Sequence, residues 1–461
     1  MLRGNAAAVA LGLLAALTAA APAHGEDRIA RAFVGDIGFA GRDVAYELRA
    51  GDDFGAELSR NVHRVVRRRP GRPARVVARL GFSAHSEGGE QLSSQFDWDT
   101  SASSVLFSRY ETHDYPGGPD FHASVFGGTF AQRLRRFADC EGVTSGASVA
   151  VWDELGAYED VCRRDDRIVV RRLDDSRAPP AFVPVADLGR VDIAGDYVAS
   201  GSPSRIEVFD RRDGRRVWSA DVDLFRGADA LRAAAFDLQP DGKVAALLRQ
   251  HDEKCQVAWF SPTEPRPHVI GDAACHRGGV RMRGDRVAWM ARRRLLVAGL
   301  TGEPRPIARF RIRADASTAR GTFGFDGSRL AYGVARCDGR TTVLLRHKLA
   351  GPVWPDQDPV PCPVRAVGRT APASVPRRVA RVRVSCPRGC HGLIRVRDVQ
   401  REQGFSARPG SRRIRLALDR RTVRELKRRG TSLLALSLRW IDRDGRFGPD
   451  RLFAVHLRRA S

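Results

Sequence analysis

A chain of 461 residues with 43% hydrophobic and 29% charged residues is long enough for more than one domain. Past the amino terminus no segment is apolar enough to span a bilayer, and the carboxyl end has no hydrophobic tail. The net charge of +24 comes from 78 Lys+Arg against 54 Asp+Glu, almost all of the excess being Arg scattered through the whole chain. Such a field attracts polyanions, but no RNA- or DNA-binding fingerprint accompanies it. Codon bias in a GC-rich genome accounts for it, so no nucleic-acid partner is expected and an anionic cell-wall polymer is the polyanion left open.

The first element is an export signal. Arg3 supplies the positive start, Ala6 to Ala21 is a short apolar run, and Ala21-Pro-Ala23 offers a small-residue cleavage site, so residues 1–23 are expected to be removed. No Cys follows the run, which argues against a lipid anchor. The mature protein is expected to be secreted or associated with the cell envelope.

From there a phrase recurs: Gly or Asp, then an apolar pair, often ending in an aromatic. It reads Gly41-Arg-Asp-Val44-Ala-Tyr46, Ser104-Val105-Leu-Phe107, Gly146-Ala-Ser-Val149-Ala-Val-Trp152, Gly195-Asp-Tyr-Val198-Ala, Asp241-Gly-Lys-Val244-Ala, Gly284-Asp-Arg-Val287-Ala-Trp289 and Asp326-Gly-Ser-Arg-Leu330-Ala-Tyr332. Successive anchors lie 61, 44, 49, 46, 43 and 43 residues apart, and a constant period means a repeated supersecondary unit. Short apolar stretches follow each turn, as in Ile206–Asp210 and Leu295–Leu300, without the i, i+3, i+4 stripes of helical solenoids. Four short strands per unit predict an all-β β-propeller over residues 26–366, with seven blades expected and six or eight as alternatives. Strand Ile29–Val34 is placed to close the ring against the last blade.

Within the 61-residue interval, Ser86–Gly128 reads as a long polar insertion carrying Phe96, Trp98, Tyr110, Tyr115 and Phe121. Trp98, Tyr110, Tyr115 and Phe121 are the candidate partner-binding residues, because aromatics in long loops suit contact anchors. The competing reading packs several of them in the core of the first two blades. His113-Asp114 with Asp120 and His122 in the same stretch has no fixed ligand geometry and reads as solvated turn residues.

Eight Cys in an exported chain point to disulfides. Neighbour pairing gives Cys140–Cys162, Cys255–Cys275, Cys337–Cys362 and Cys386–Cys390, closing loops of 22, 20, 25 and 4 residues. Cys386-Pro-Arg-Gly-Cys390-His391 lacks the second ligand pair that a zinc site needs. No nucleophile elbow or glycine-rich phosphate loop occurs, so no catalytic, cofactor or metal residue is assigned. An enzyme working through carboxylates converging on the central channel stays open, since no spacing rule reveals such a site.

Residues 367–376, rich in Pro, Ala and Ser, are expected as a linker, and 377–461 as a small immunoglobulin-like β-sandwich. Its strand candidates are 378–386, 393–399, 412–418, 432–441 and 451–457, with a short helix before Gly430.

The Gly-Asp-Arg-Val-Ala-Trp phrases with interspersed Cys resemble the secreted TolB-like or WD40-like propellers of high-GC actinobacteria. The Val-Ser-Cys386-Pro-Arg-Gly-Cys390-His-Gly-Leu segment, with Arg-Thr-Val-Arg-Glu-Leu-Lys-Arg-Arg-Gly430, is similar to immunoglobulin-like tails appended to them. The Gly-His and Trp-Asp marks of WD40 blades are missing, as are Asp-box turns. The resemblance implies architecture and export: a non-enzymatic scaffold binding an envelope protein or cell-wall glycan, with a channel-based envelope hydrolase or lyase as the alternative.

Overall fold

The computed structural model describes residues 26–50, 61–85, 91–115, 118–143, 146–163, 166–187, 189–222, 236–249, 254–273, 279–291, 294–309, 323–335, 341–349, 366–387, 389–396, 402–407, 409–440 and 451–460. The expected signal segment 1–23 lies outside them, as do Cys275, Cys337 and Cys362.

The described residues to 349 build seven four-stranded antiparallel blades. Blades 3 to 6 are separate sheets, whereas blades 7, 1 and 2 merge into one eleven-stranded sheet. The merger has a simple cause. Strand Glu26–Ala40 serves two blades: Glu26–Ala32 pairs with Thr341–Arg346 as the outer strand of blade 7, and Phe33–Ala40 pairs with Asp43–Arg49 as the inner strand of blade 1. The first and last parts of the propeller are thereby hydrogen-bonded to each other, and Ile29, 1% exposed, packs in the core beneath. The expected closure by Ile29–Val34 is present.

The recurring phrase has a local physical basis. Its leading Gly41, Gly195 and Gly284 sit at φ +59°, +59° and +56°, in two-residue turns between the inner and second strands of blades 1, 4 and 6. Such tight hairpins need a left-handed first residue, which glycine adopts without strain. In blade 3 the equivalent turn is Asp153-Glu154, with Asp153 at φ +49°. The phrase around Val149 therefore falls one strand early, on the inner strand Val149–Trp152. The 61-residue interval hides no extra blade, because the longer strands Asn61–Arg68, Arg75–His85 and Gln91–Thr100 fill it.

Apolar residues alternate onto the faces where blades meet. Blades 4 and 5 share Val208, Trp218, Phe236 and Phe260, and the Trp218 indole N–H donates to the Gly242 carbonyl at 3.0 Å. Cys140, on the outer strand of blade 2, is bonded to Cys162 in blade 3. Cys255 is also disulfide-bonded, and Cys386 pairs with Cys390.

The carboxyl-terminal strands are Ala366–Val367, Thr370–Ser374, Val379–Cys386, Cys390–Val396, Glu402–Ala407, Gly410–Ala417, Thr431–Trp440 and Arg451–Arg459. Hydrogen bonding connects all of them, Gly410–Ala417 branching off Val379–Cys386, around a single core that includes Val382, Ile394, Leu416, Leu436 and Val455. The segment expected as a linker differs: Thr370–Ser374 is a strand, pairing in parallel with Arg451–Arg459. The helix Arg420–Arg429 is capped by the Asp419 carboxylate at its start and by Gly430 at φ +72° at its end, and it buries Val423 and Leu426. Lys427, Arg428 and Arg429 in its last turn complement the helix dipole.

Candidate functional site

Two features concentrate chemistry in the propeller: the axis and the long wing of blades 1 and 2. The inner strands of blades 2, 4 and 6 alternate charge and apolar residues, as Asp97-Trp98-Asp99, Arg190-Val191-Asp192 and Arg281-Met282-Arg283. On a strand, residues i and i+2 share a face, so each triplet turns its two charges one way and its apolar member the other. Asp36, Asp97, Asp99, Asp192 and Asp237 come from blades 1, 2, 4 and 5, and Arg190, Arg281 and Arg283 from blades 4 and 6, yet they act on one another electrostatically. Only convergence on the axis allows that.

The carboxylates join neighbouring blades. One oxygen of Asp97, Asp99 and Asp192 accepts the N–H of the next residue, at 3.1, 2.8 and 2.8 Å. The other oxygen reaches across to the next blade: Asp97 accepts from Val149 N at 3.1 Å, Asp99 from Val151 N at 2.8 Å, and Asp192 from Leu238 N at 2.7 Å. Asp237 accepts from Met282 N and from the Arg283 guanidinium, the latter at 2.9 and 3.1 Å. Between blades 3 and 4 the acceptor is a hydroxyl, Ser148 Oγ taking Val191 N at 3.1 Å, while Ser148 N donates to Glu159 Oε2 at 2.7 Å. Blades 7 and 1 meet through glycine instead, where a Cβ on Gly324 would stand 2.9 Å from the Gly38 backbone.

Five axial carboxylates face three guanidiniums in a space walled by protein, and burial raises the proton affinity of Asp36, Asp97, Asp99 and Asp192. Asp36, Asp97, Asp99 and Asp192 keep some accessible surface, but the surrounding blades enclose them, and enclosure governs their solvation. Burial pushes Asp97 up to about 6 against the pull of Arg190 and the Val149 N–H. Burial raises Asp192 too, and the neighbouring Asp237 raises it further. Glu159, 6% exposed, is pushed up to about 8 by burial, with Asp97 adding to the shift. The Arg190 guanidinium is lowered, first by burial.

The wing answers to the expected partner-binding insertion, but it is not a loop. Ser104–Tyr115 and Gly118–Thr129 are twelve-residue strands in register from Ser104 opposite Thr129 to Tyr115 opposite Gly118. Their counterparts in blade 4 have six residues, so the hairpin continues past the blade by roughly 20 Å. Gln91–Thr100 follows it outward, and Ala84–His85 pairs with Leu92–Gln91, linking blade 1 to the wing.

Trp98 and Phe96 are core residues packed with Ala78, Leu80 and Phe107, so these two take the core reading. Tyr110 and Phe121 stack on the wing with centroids 6.1 Å apart and planes 9° apart, both half-buried. Tyr115 ends the first strand of the hairpin. His122 Nε2 lies 2.7 Å from Asp139 Oδ1 and its Nδ1 3.7 Å from Glu111 Oε2, with Arg136 also on Asp139. Among the described residues no group of three or more His, Cys, Asp or Glu is arranged to hold a metal. The sequence assigns no role to Asp97 and Asp99 within the polar Ser86–Gly128 stretch, nor to Asp36, Arg190, Asp192, Asp237, Arg281 and Arg283. For Arg190, Asp192, Arg281 and Arg283 the signal is a charge, apolar, charge triplet close before a tight turn, which Asp36 and Asp237 lack.

No protein-family model and no curated protein matches the chain. Among solved structures it is similar to the WD40 domain of coronin from Toxoplasma gondii, at 11% identity over 71% of this chain and 85% of that one, with a TM-score of 0.42. It is similar also to the WD40 domain of SCAP from fission yeast, at 6% identity over 70% and 94%, TM-score 0.39. TolB from Acinetobacter baumannii aligns at 13% identity over 56% and 65%, TM-score 0.29. These likenesses concern the propeller fold and nothing of its ligands.

Proposed function

We propose that the protein is an exported, non-enzymatic propeller scaffold that presents the blade 1–2 wing to a protein or glycan partner at the cell envelope. The observation that carries this reading is the doubled hairpin of blade 2 with the Tyr110–Phe121 stack on it. A stacked aromatic pair on a rigid strand platform offers contact area at little conformational cost. The Cys140–Cys162 bond ties the base of this wing to blade 3, which keeps the platform fixed relative to the ring. Export through residues 1–23 fits the disulfides, and an immunoglobulin-like tail would act as a spacing or adhesion module.

The test replaces residues 112–121 by an Asn-Gly turn, which rejoins the hairpin at the existing pair of Glu111 opposite His122. Purified wild type is expected to stay on isolated envelope material through a high-salt wash, and the shortened variant to elute. Equal retention of both removes the wing from recognition.

A second reading, a channel hydrolase or lyase, draws on Asp97 and Glu159, whose proton affinities lie near neutral pH where a general acid or base works. Its weakness is that the oxygens of Asp97, Asp99 and Asp192 are occupied by backbone N–H groups. Envelope polysaccharide turnover that disappears in Asp97→Asn at unchanged stability would favour it over the scaffold.

A further inference from the structure

The carboxyl-terminal unit carries a charge arrangement that folding alone does not call for. Val379–Cys386 and Gly410–Ala417 are antiparallel neighbours, with Arg381 directly opposite Arg415 and Arg383 directly opposite Arg413. The intervening pairs, Ala380 with Leu416 and Val382 with Ile414, are buried, so all four arginines stand on the outer face, and all four are exposed. Like charges directly opposite across a ladder are destabilising. Sheets usually relieve this with a facing carboxylate, and among the described residues none forms an ion pair with Arg381, Arg383, Arg413 or Arg415. The Arg383 Nε–H donates to Ser411 Oγ at 3.0 Å, which orients one guanidinium along the strand pair. Exposed Arg377 and Arg378 continue the positive surface at the turn that leads into Val379.

We infer that this two-by-two arginine grid is a binding site for a linear phosphate polymer laid along the strand pair. Arginines opposite one another are about 5 Å apart at the backbone, and successive pairs about 6.7 Å apart along the strands. A phosphate within a chain has free oxygens on both sides, so the two arginines of a pair can each take one oxygen of the same group. The second pair then takes a neighbouring phosphate. A pendant carboxylate presents both oxygens on one side and engages one row only. The polymer supplies the negative charge whose absence makes the grid unfavourable, and binding releases its condensed counterions.

The test uses the mature full-length chain and long-chain inorganic polyphosphate as the probe, with affinity measured from low to high salt. The grid variant combines Arg381→Gln, Arg383→Gln, Arg413→Gln and Arg415→Gln. A control with the same charge loss combines Arg75→Gln, Arg79→Gln, Arg266→Gln and Arg305→Gln, four exposed propeller positions. The grid variant is expected to weaken polyphosphate binding at least tenfold at physiological salt and the control less than twofold. The slope of log affinity against log salt should flatten by roughly 1.4 in the grid variant, at about 0.7 for each of the two phosphates that the arginine pairs no longer neutralise. Removing like-charge pairs leaves the fold at least as stable, so an unchanged or higher midpoint in thermal unfolding certifies that variant. Equal losses in both variants assign the attraction to the general arginine excess and overturn the proposal. Tighter binding of poly-L-glutamate of equal charge overturns the assignment to a phosphate polymer.

Discussion

Glu159→Gln is expected to stabilise the propeller at pH 8 while leaving it nearly unchanged at pH 5. Glu159 is 6% exposed, and its Oε2 accepts the Ser148 N–H at 2.7 Å. Its pKa in the folded protein is about 8 against an ordinary value of 4.5, with burial as the main cause. Between those values the folded protein keeps a proton that the unfolded chain has released, so the native state binds more protons and stability falls as pH rises. At about 1.36 kcal/mol per pH unit, less the partial titration at each end, the loss between pH 5 and pH 8 comes to about 3–4 kcal/mol. Glutamine keeps a carbonyl to accept the Ser148 N–H and cannot ionise, so its offset from wild type carries no such pH term. The assay is urea unfolding of both proteins at pH 5, 6, 7 and 8, read as the difference between them. The chain's net charge of +24 adds its own pH dependence, which the two proteins share and the difference removes. A difference that stays constant from pH 5 to pH 8, or a variant less stable at pH 8, would show that Arg190 compensates the ionised carboxylate in place, and the reasoning would fail.

Asp237→Ala strips the acceptor from Met282 N and the partner from Arg283, and is expected to cost about 3–5 kcal/mol in denaturant unfolding. Gly324→Ala places a methyl 2.9 Å from the Gly38 backbone and should lower stability by about 1–3 kcal/mol, with thermal unfolding as the check. Replacing Cys140 and Cys162 together by Ser opens a 22-residue loop and is expected to cost about 3 kcal/mol, while adding reductant to the double variant should no longer shift unfolding through this bond.

The ring was legible in the chain because its turns are chemically demanding. Gly195-Asp196 and Gly284-Asp285 mark hairpins that few other residue pairs can make, and their period counts blades directly. Blade 3 escaped that signal because Asp153 takes the left-handed position. The wing was misread for a different reason: its Ser, Thr, Gly and His content resembles loop composition, and a solvated strand beyond the core loses the apolar alternation by which strands are recognised. Tyr110 and Phe121 stood out in the sequence because they are aromatics in such a stretch. Their partnership did not, since it depends on register across a hairpin. The axial charges were the least legible, because Asp192 and Asp237 lie 45 residues apart and meet only once the ring closes.

The axial charges follow from the architecture. Inner strands of adjacent blades diverge too much to share a backbone ladder, so the N–H groups of Val149, Val151, Leu238 and Met282, facing the previous blade, need acceptors from side chains. An aspartate two bonds from its own strand reaches that far and also caps the N–H of its following residue, which is why Asp97, Asp99 and Asp192 make the same pair of hydrogen bonds. Repeating that solution around a ring packs carboxylates onto one axis, where burial raises the proton affinity of Asp97, Asp99 and Asp192, and neighbouring carboxylates add to it at Asp97 and Asp192. Arg190, Arg281 and Arg283 then offset the accumulated charge on the same strands. Every step of this sequence is imposed by closing a ring of twisted sheets, whereas nothing in ring closure requires a hairpin of twelve-residue strands or four arginines facing one another in pairs on one strand pair. Those two surfaces are where selection for binding is to be sought.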